Sequence, residues 1–350
     1  MLIRTRLTII ITAALILGGC SQTSITPSQD PQPPINTPQG MVEYLENQNL
    51  PALESAQPWQ NRFAPGIEIS TPHYRIYTTL LEPLILNRLP GFMESAYAGY
   101  QKQLPRPIDT KSKFTIYLFA DRQQWEKKTV EVTGPQSPIY LKIKAGAYYL
   151  NGDCIAYHIG TDKTLSVLGH EGWHQFNSRH FRYRLVSFLD EGIAMQFESH
   201  VCDKGLFRFE PNKNLRRLGQ LRKTIIENKM IPLAKLLTMD PGQALSAGDD
   251  AVAAYYSQSY ALIRFLREDN YNQRLSSYHQ LLLGALRGTW PLNDDTASIA
   301  ANRNIPLTVN FNRIAGPAVF QYYIDPDLEK IEAKYQNYCR KIVYHVRLKN

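Results

Sequence analysis

His170-Glu171-Gly172-Trp173-His174 is the stretch that most constrains how this chain folds. Histidines four residues apart lie one turn from each other on one face of an α-helix, where both neutral imidazoles can reach a single metal ion. Glu171, turned about 100° round the axis from His170, then reaches a water on that ion rather than the ion itself. The segment must therefore be helical. Because a catalytic zinc takes three protein ligands and leaves its fourth position for water or substrate, the chain must also bring a further ligand to this helix.

Two candidates for that ligand follow in the sequence. His180 extends the pattern to H-E-x-x-H-x-x-N-x-x-H, which resembles the metzincin motif with Asn177 in the place of its turn glycine. Asn tolerates positive φ, so a helix ending at Asn177 could swing His180 back to the metal. Glu191 sits in FLDEGIAMQFE, where Leu189, Ile193, Gln196 and Phe197 share a side of a second helix. Gly192 and Ala194 are small enough to let that helix approach the first. A metzincin should also carry a methionine turn, and Met195 falls inside the expected helix, so Glu191 is the stronger candidate and His180 its rival.

HEGWHQF, FLDEGIAMQFE and, more loosely, AYYSQSYALIRFL resemble the gluzincins, and more closely the peptidase-MA-like families that read H-E-x-x-H followed by W/F-L-x-E-G-x-A. The resemblance runs from about Gly146 to Phe265, a third of the chain. It implies one zinc held by His170, His174 and Glu191, with Glu171 as the base that takes a proton from the zinc-bound water and delivers it to the leaving amine. It also implies that Tyr255, Tyr256 or Tyr260 stabilises the oxyanion, with spacing favouring Tyr256, although a chain with 21 tyrosines packs many of them for other reasons. Asp190 and Glu198 are candidate partners for the histidines. The run Cys154 to Ile159 takes the place of the edge strand that pairs with an extended peptide in such families. The implied activity is that of a zinc metallopeptidase with a peptide or protein substrate. A non-catalytic envelope protein keeping the fold for binding, and a zinc amidase acting on cell-wall material, remain the alternatives. His73, His158, His200, His279 and His345 receive no role.

Ahead of this region the chain changes material. Arg4 and Arg6 precede an apolar run, Leu7 to Leu17, too short to span a bilayer, and Leu17-Gly18-Gly19-Cys20 resembles a bacterial lipobox. Residues 1–19 read as a lipoprotein signal peptide, Cys20 as the lipidated first residue, and Ser21 after it resembles outer-membrane sorting in Gram-negative bacteria. The expected localisation is the bacterial cell envelope, tethered by lipid. Pro, Ser, Thr and Gln dominate the residues after it, so residues 20–45 are expected to form a linker.

A zincin-like domain is expected over 60–350, as an α+β fold. Its first part, 60–160, is a small mixed β-sheet with helices on one face: strands at His73 to Thr78 and Lys113 to Phe119, a helix from Asp121 holding Trp125, and a hairpin about Asn151-Gly152. The second, 161–350, is mainly α-helical, with helices at Lys163 to Asn177, Phe188 to His200, Leu215 to Asn228, Ala251 to Glu268, Asn272 to Leu286 and Asp327 to Val343. The active-site helix stands at the junction. A segment such as Gly242 to Asp250 could cover the site. Three cysteines follow Cys20, and Cys154 with Cys202 is the candidate disulfide, the alternative being packing. The charge of +8 is spread out except in RRLGQLRK, Arg216 to Lys223, which reads as a solvated helix face rather than a nucleic-acid contact.

Overall fold

The computed structural model describes residues 34–144, 146–305 and 309–347. Cys20 and the expected signal peptide lie outside the described residues. The packed body begins well before residue 60. Helix α1 (Pro38–Glu46), capped by Thr37, buries Met41, Val42 and Leu45 in the main core. Strands β1 (Ser55–Trp59) and β2 (Gly66–Ser70) follow as part of the sheet. The stretch from Met41 is thus a helix of the domain rather than linker.

The sheet has six strands in the order β1-β2-β3-β4-β6-β5, with β3 at Tyr74–Thr78, β4 at Phe114–Phe119, β5 at Ala147–Leu150 and β6 at Asp153–Tyr157. Strands β3, β4 and β6 run parallel, while β1, β2 and β5 join antiparallel to their neighbours. Alternation fixes the faces. Tyr74, Ile76, Ile116, Cys154 and Ala156 enter the main core, whereas Phe119, Ile155 and Tyr157 pack on the opposite face with Trp125. That second face corrects the expectation of helices on one side only. Between β3 and β4 come α2 (Pro83–Leu86) and α3 (Leu89–Gln101). After β4, α4 (Arg122–Thr133), capped by Asp121, covers the second face and is followed by α5 (Ser137–Tyr140). Trp125 Nε1 donates to Ile155 O at 3.1 Å, anchoring α4 to the sheet.

Asn151 and Gly152 turn β5 into β6 with φ of 51° and 101°, as an Asn-Gly hairpin requires. Here the order of strands corrects the sequence reading. The run Cys154 to Ile159 enters β6, an interior strand between β4 and β5, and β5 forms the edge.

Helix α6 (Thr161–His180) then crosses the main-core face. It is longer at both ends than expected, starting after Gly160 rather than at a side-chain cap and running unbroken through Asn177. Gln175 Nε2 donates to Thr115 O at 2.7 Å and to Gly152 O at 2.8 Å, pinning the helix to β4 and the hairpin. A Cβ at Gly172 would collide with the Tyr100 hydroxyl of α3, and that hydroxyl donates to Gly169 O at 2.7 Å. The glycine allows α3 to pack this closely.

Helix α7 (Ser187–Ala194) runs back along α6 and tightens into a short 3-10 turn, Met195–Phe197. At His200 the chain is already in strand, pairing β7 (His200–Asp203) with β8 (Leu206–Phe209) around Lys204-Gly205; this hairpin was not expected. The helical half follows as α8 (Leu215–Ile226), α9 (Leu233–Leu236), α10 (Pro241–Ser246), α11 (Asp249–Asn272), α12 (Leu275–Arg287), α13 (Asp294–Ala301), α14 (Val309–Tyr323) and α15 (Leu328–Val343). In α11 the helical geometry breaks at Asp269 to Tyr271, so its regular part ends at Glu268 as expected. Gly192 of α7 sits on α11 rather than on α6: a Cβ there would lie 2.5 Å from Ile263 Cγ1 and 2.6 Å from Ser259 O. Among the described residues no helix is long and apolar enough to cross a membrane.

Candidate metal centre

His170 and His174 leave the same face of α6, their ring centroids 5.1 Å apart. Helix α7 brings Glu191 opposite them, and one nitrogen from each ring and a Glu191 oxygen lie within 4.8 Å of one another. His170 Nε2 is 3.4 Å from Glu191 Oε2.

The other ring nitrogen of each histidine is already committed. His170 Nδ1–H donates to Glu198 Oε1 at 3.2 Å, and His174 Nδ1–H donates to Asp190 Oδ1 at 2.9 Å. Each bond would hold the neutral ring in its Nδ1–H tautomer and leave Nε2 for a metal, the arrangement that metal-ligating histidines use. These carboxylates are themselves held. Asp190 Oδ1 accepts from Asn177 Nδ2 at 2.7 Å. Glu198 receives two bonds from Arg217, at 2.8 and 2.6 Å, and one from Asn214 Nδ2 at 3.0 Å.

Proton affinities follow from this crowding. Burial works against charge on His170, but its bonds to Glu191 and Glu198 outweigh it and lift the ring to about 10. His174, also opposed by burial, is lifted to about 9 by Asp190. Burial would raise Glu191 and Glu198, yet the histidines hold Glu191 below its ordinary value and Arg217 does the same, more strongly, for Glu198. Glu171 differs from both: burial raises it, and the nearby His174 and His170 only moderate the effect. The cluster thus favours added positive charge between the rings and Glu191. A divalent ion on two Nε2 atoms and one carboxylate oxygen supplies that charge with a donor set suited to zinc.

His180 stands elsewhere. Since α6 continues through Asn177, the ring remains in register on the helix, hydrogen-bonds Thr110 Oγ1 at 2.9 Å through Nε2 and packs 4.8 Å from Phe176. It is not among the residues that converge. Of the three tyrosines, Tyr256 lines the cavity that also holds His170, Glu171 and Glu191. Tyr255 is buried, and the Tyr260 hydroxyl is taken up by Pro211 O and Arg264.

This cavity measures about 940 Å³ and opens beside the β5 edge, whose Ala147 to Leu150 line it. From α11, Val252 and Tyr256 reach it, but none of Gly242 to Asp250 does. Cys154, Cys202 and Cys339 are all free; Cys154 is buried and Cys202 exposed, so the expected disulfide does not form. His158 faces Glu82 at 3.8 Å, away from the converging group.

Sequence reasoning passed over Arg217 and Asn214. Arg217 lies in the run read as a solvated face, yet it is buried and its guanidinium stacks 5.3 Å from the Tyr256 ring. A usable signal existed, since Arg217 shares the apolar stripe of α8 with Leu221 and Thr224, at spacings of four and seven.

No protein-family model matches the chain, and a search of curated proteins finds no match.

Proposed function

We propose that the chain is a zinc-dependent peptidase that hydrolyses peptide bonds in extended segments of other proteins, held at the bacterial envelope by a lipid on Cys20. The observation that carries this reading is the convergence of His170, His174 and Glu191, with both Nδ1 atoms already tied to carboxylates. His170, His174 and Glu191 would hold the ion. Bound zinc supplies a Lewis acid that brings the pKa of water toward neutrality and polarises a carbonyl.

The remaining chemistry belongs to the chain's own groups. Glu171 lines the same cavity, and burial raises its proton affinity, which makes it a stronger general base. It takes one proton from the attacking water; the hydroxyl joins the carbonyl carbon, the C–N bond breaks, and the proton leaves on the amine. Tyr256 would donate its hydroxyl proton in a hydrogen bond to the carbonyl oxygen as charge gathers there. Strand β5 has one unpaired edge, along which an extended peptide can add as a further strand.

Hydrolysis of a broad peptide library tests the reading. The wild-type chain loaded with zinc should cleave library members, and Glu171→Gln should bind zinc equally and lose about a thousandfold or more of the rate. A fully loaded wild type that cleaves nothing would remove the peptidase reading.

A further inference from the structure

Four arginines on the cavity wall lack a carboxylate partner among the described residues: Arg184, Arg216, Arg303 and Arg179, the last held on Ser112 O at 2.7 Å and Lys113 O at 3.1 Å. Arg217, beside Arg216, is consumed by Glu198. Arg216 itself, in the first turn of α8, makes no hydrogen bond or ion pair among the described residues. Arg303 donates to Phe181 O at 2.6 Å, and Arg184 donates to Ile305 O and Ile299 O, both at 2.6 Å. Backbone carbonyls orient these guanidinium groups without neutralising them, and Arg184 Nε stays buried with no partner. Asp190, which acts on Arg303 electrostatically, is bonded to His174 and Asn177.

Their positions are ordered along α6. Arg216 adjoins Arg217, which grips the Glu198 that holds His170, whereas Arg303 donates to Phe181 O just past the C-terminal end of α6, the end nearer His174. The arginines therefore flank the two histidines from opposite ends. The histidines are four residues apart, about 6 Å along the helix axis, and an extended peptide advances about 3.3 Å per residue, so both ends fall within a few residues of a peptide bond at the centre. A divalent ion and Arg217 offset most of the charge on Glu171, Asp190, Glu191 and Glu198, which leaves the arginines to set the sign of the walls. Each guanidinium presents a planar fork that matches a carboxylate.

We propose that the cavity selects peptides bearing carboxylates on both sides of the residue at the metal centre, held by Arg216 at one end and by Arg303 with Arg184 at the other. This selection rests on the peptidase reading for its substrate class but not on turnover. The carboxylates come from Asp or Glu side chains or, at one end, from a free peptide C-terminus.

Fluorescence anisotropy on the zinc-loaded full chain carrying Glu171→Gln tests it, with labelled peptides bearing Glu, Gln or Lys on either side of a central residue, each with a free or amidated C-terminus. Glu peptides should bind about tenfold or more tightly than their Gln counterparts, with a difference that shrinks as salt rises. A preference kept on amidation assigns side-chain carboxylates, and one lost on amidation assigns the terminal group. Adding Arg216→Glu should move the preference at that end to Lys, a gain that misfolding cannot produce. Equal binding of all Glu and Gln peptides with either end, or a Glu preference that survives both Arg216→Gln and Arg303→Gln, overturns the proposal. Arginine-dependent binding by a wild type that cleaves no peptide upholds the selection and removes the hydrolysis. Cleavage without regard to acidic residues does the reverse.

Discussion

Arg217 reaches the proposed metal site through one relay: its guanidinium holds Glu198, and Glu198 holds the His170 ring. Replacing Arg217 with Met keeps much of the packing but leaves Glu198 without its counter-charge. Zinc affinity should fall about 10–100-fold, read by competition with a chelator of known affinity, and the urea midpoint of the metal-free chain should fall as well, because a buried carboxylate loses its partner. The convergence of His170, His174 and Glu191 was legible in the sequence because two sit within one helical turn and the third lies in a motif that resembles a known family. Arg217 was not, because a basic run looks like surface until the helix phase is applied. His180 makes a prediction of a different kind. Burial and the neighbouring Arg179 push its ring down to about 4, below the ordinary value near 6.5. Above pH 6.5 both folded and unfolded chains keep this ring neutral. Below it the unfolded chain takes up the proton first, so stability falls from pH 6.5 to about 4 and this contribution levels off beneath that. Denaturant midpoints across that window should fall less steeply in His180→Gln than in wild type, and parallel slopes would contradict the assignment.

Elements were legible where local pattern determines them and illegible where neighbours do. The Asn151-Gly152 hairpin, the Asp121 cap of α4 and the apolar phase of α11 all carry their instructions in a few residues. Strand order does not. The alternation in Cys154 to Ile159 identifies a strand but cannot say that β4 and β5 lie on either side of it, so the edge was assigned to the wrong member of the hairpin. The β7–β8 hairpin escaped for a related reason, since helical phase from Phe188 runs on into Phe197 and nothing before Lys204-Gly205 marks the change. Gly192 shows how helix contacts depend on tertiary partners. Its small size serves α11, where the backbone of Ser259 stands in the way of any side chain. Gly192→Ala should therefore destabilise the chain by about 1–3 kcal/mol in urea denaturation. Because Glu191 is its neighbour, the same change should also weaken zinc binding.

On the scale of the whole molecule, the division into a sheet-bearing first half and a helical second half was legible, as was the junction helix between them. The beginning of the body was not. The linker expected over residues 20–45 overlaps the body, because α1 sends Met41, Val42 and Leu45 into the core shared with β2, α3 and α6. Leu45→Ala should cost about 2–5 kcal/mol of unfolding free energy, a core-sized loss that a linker residue could not produce. Helices α6 and α7 together build the proposed metal site, with His170 and His174 from the first and Glu191 from the second. Metal analysis of the purified chain tests it most directly, comparing wild type with His180→Ala and Glu191→Ala after dialysis against trace zinc. Wild type and His180→Ala should each hold about one zinc per chain, and Glu191→Ala should lose most of it. Zinc retained by Glu191→Ala and lost from His180→Ala would contradict this ligand set.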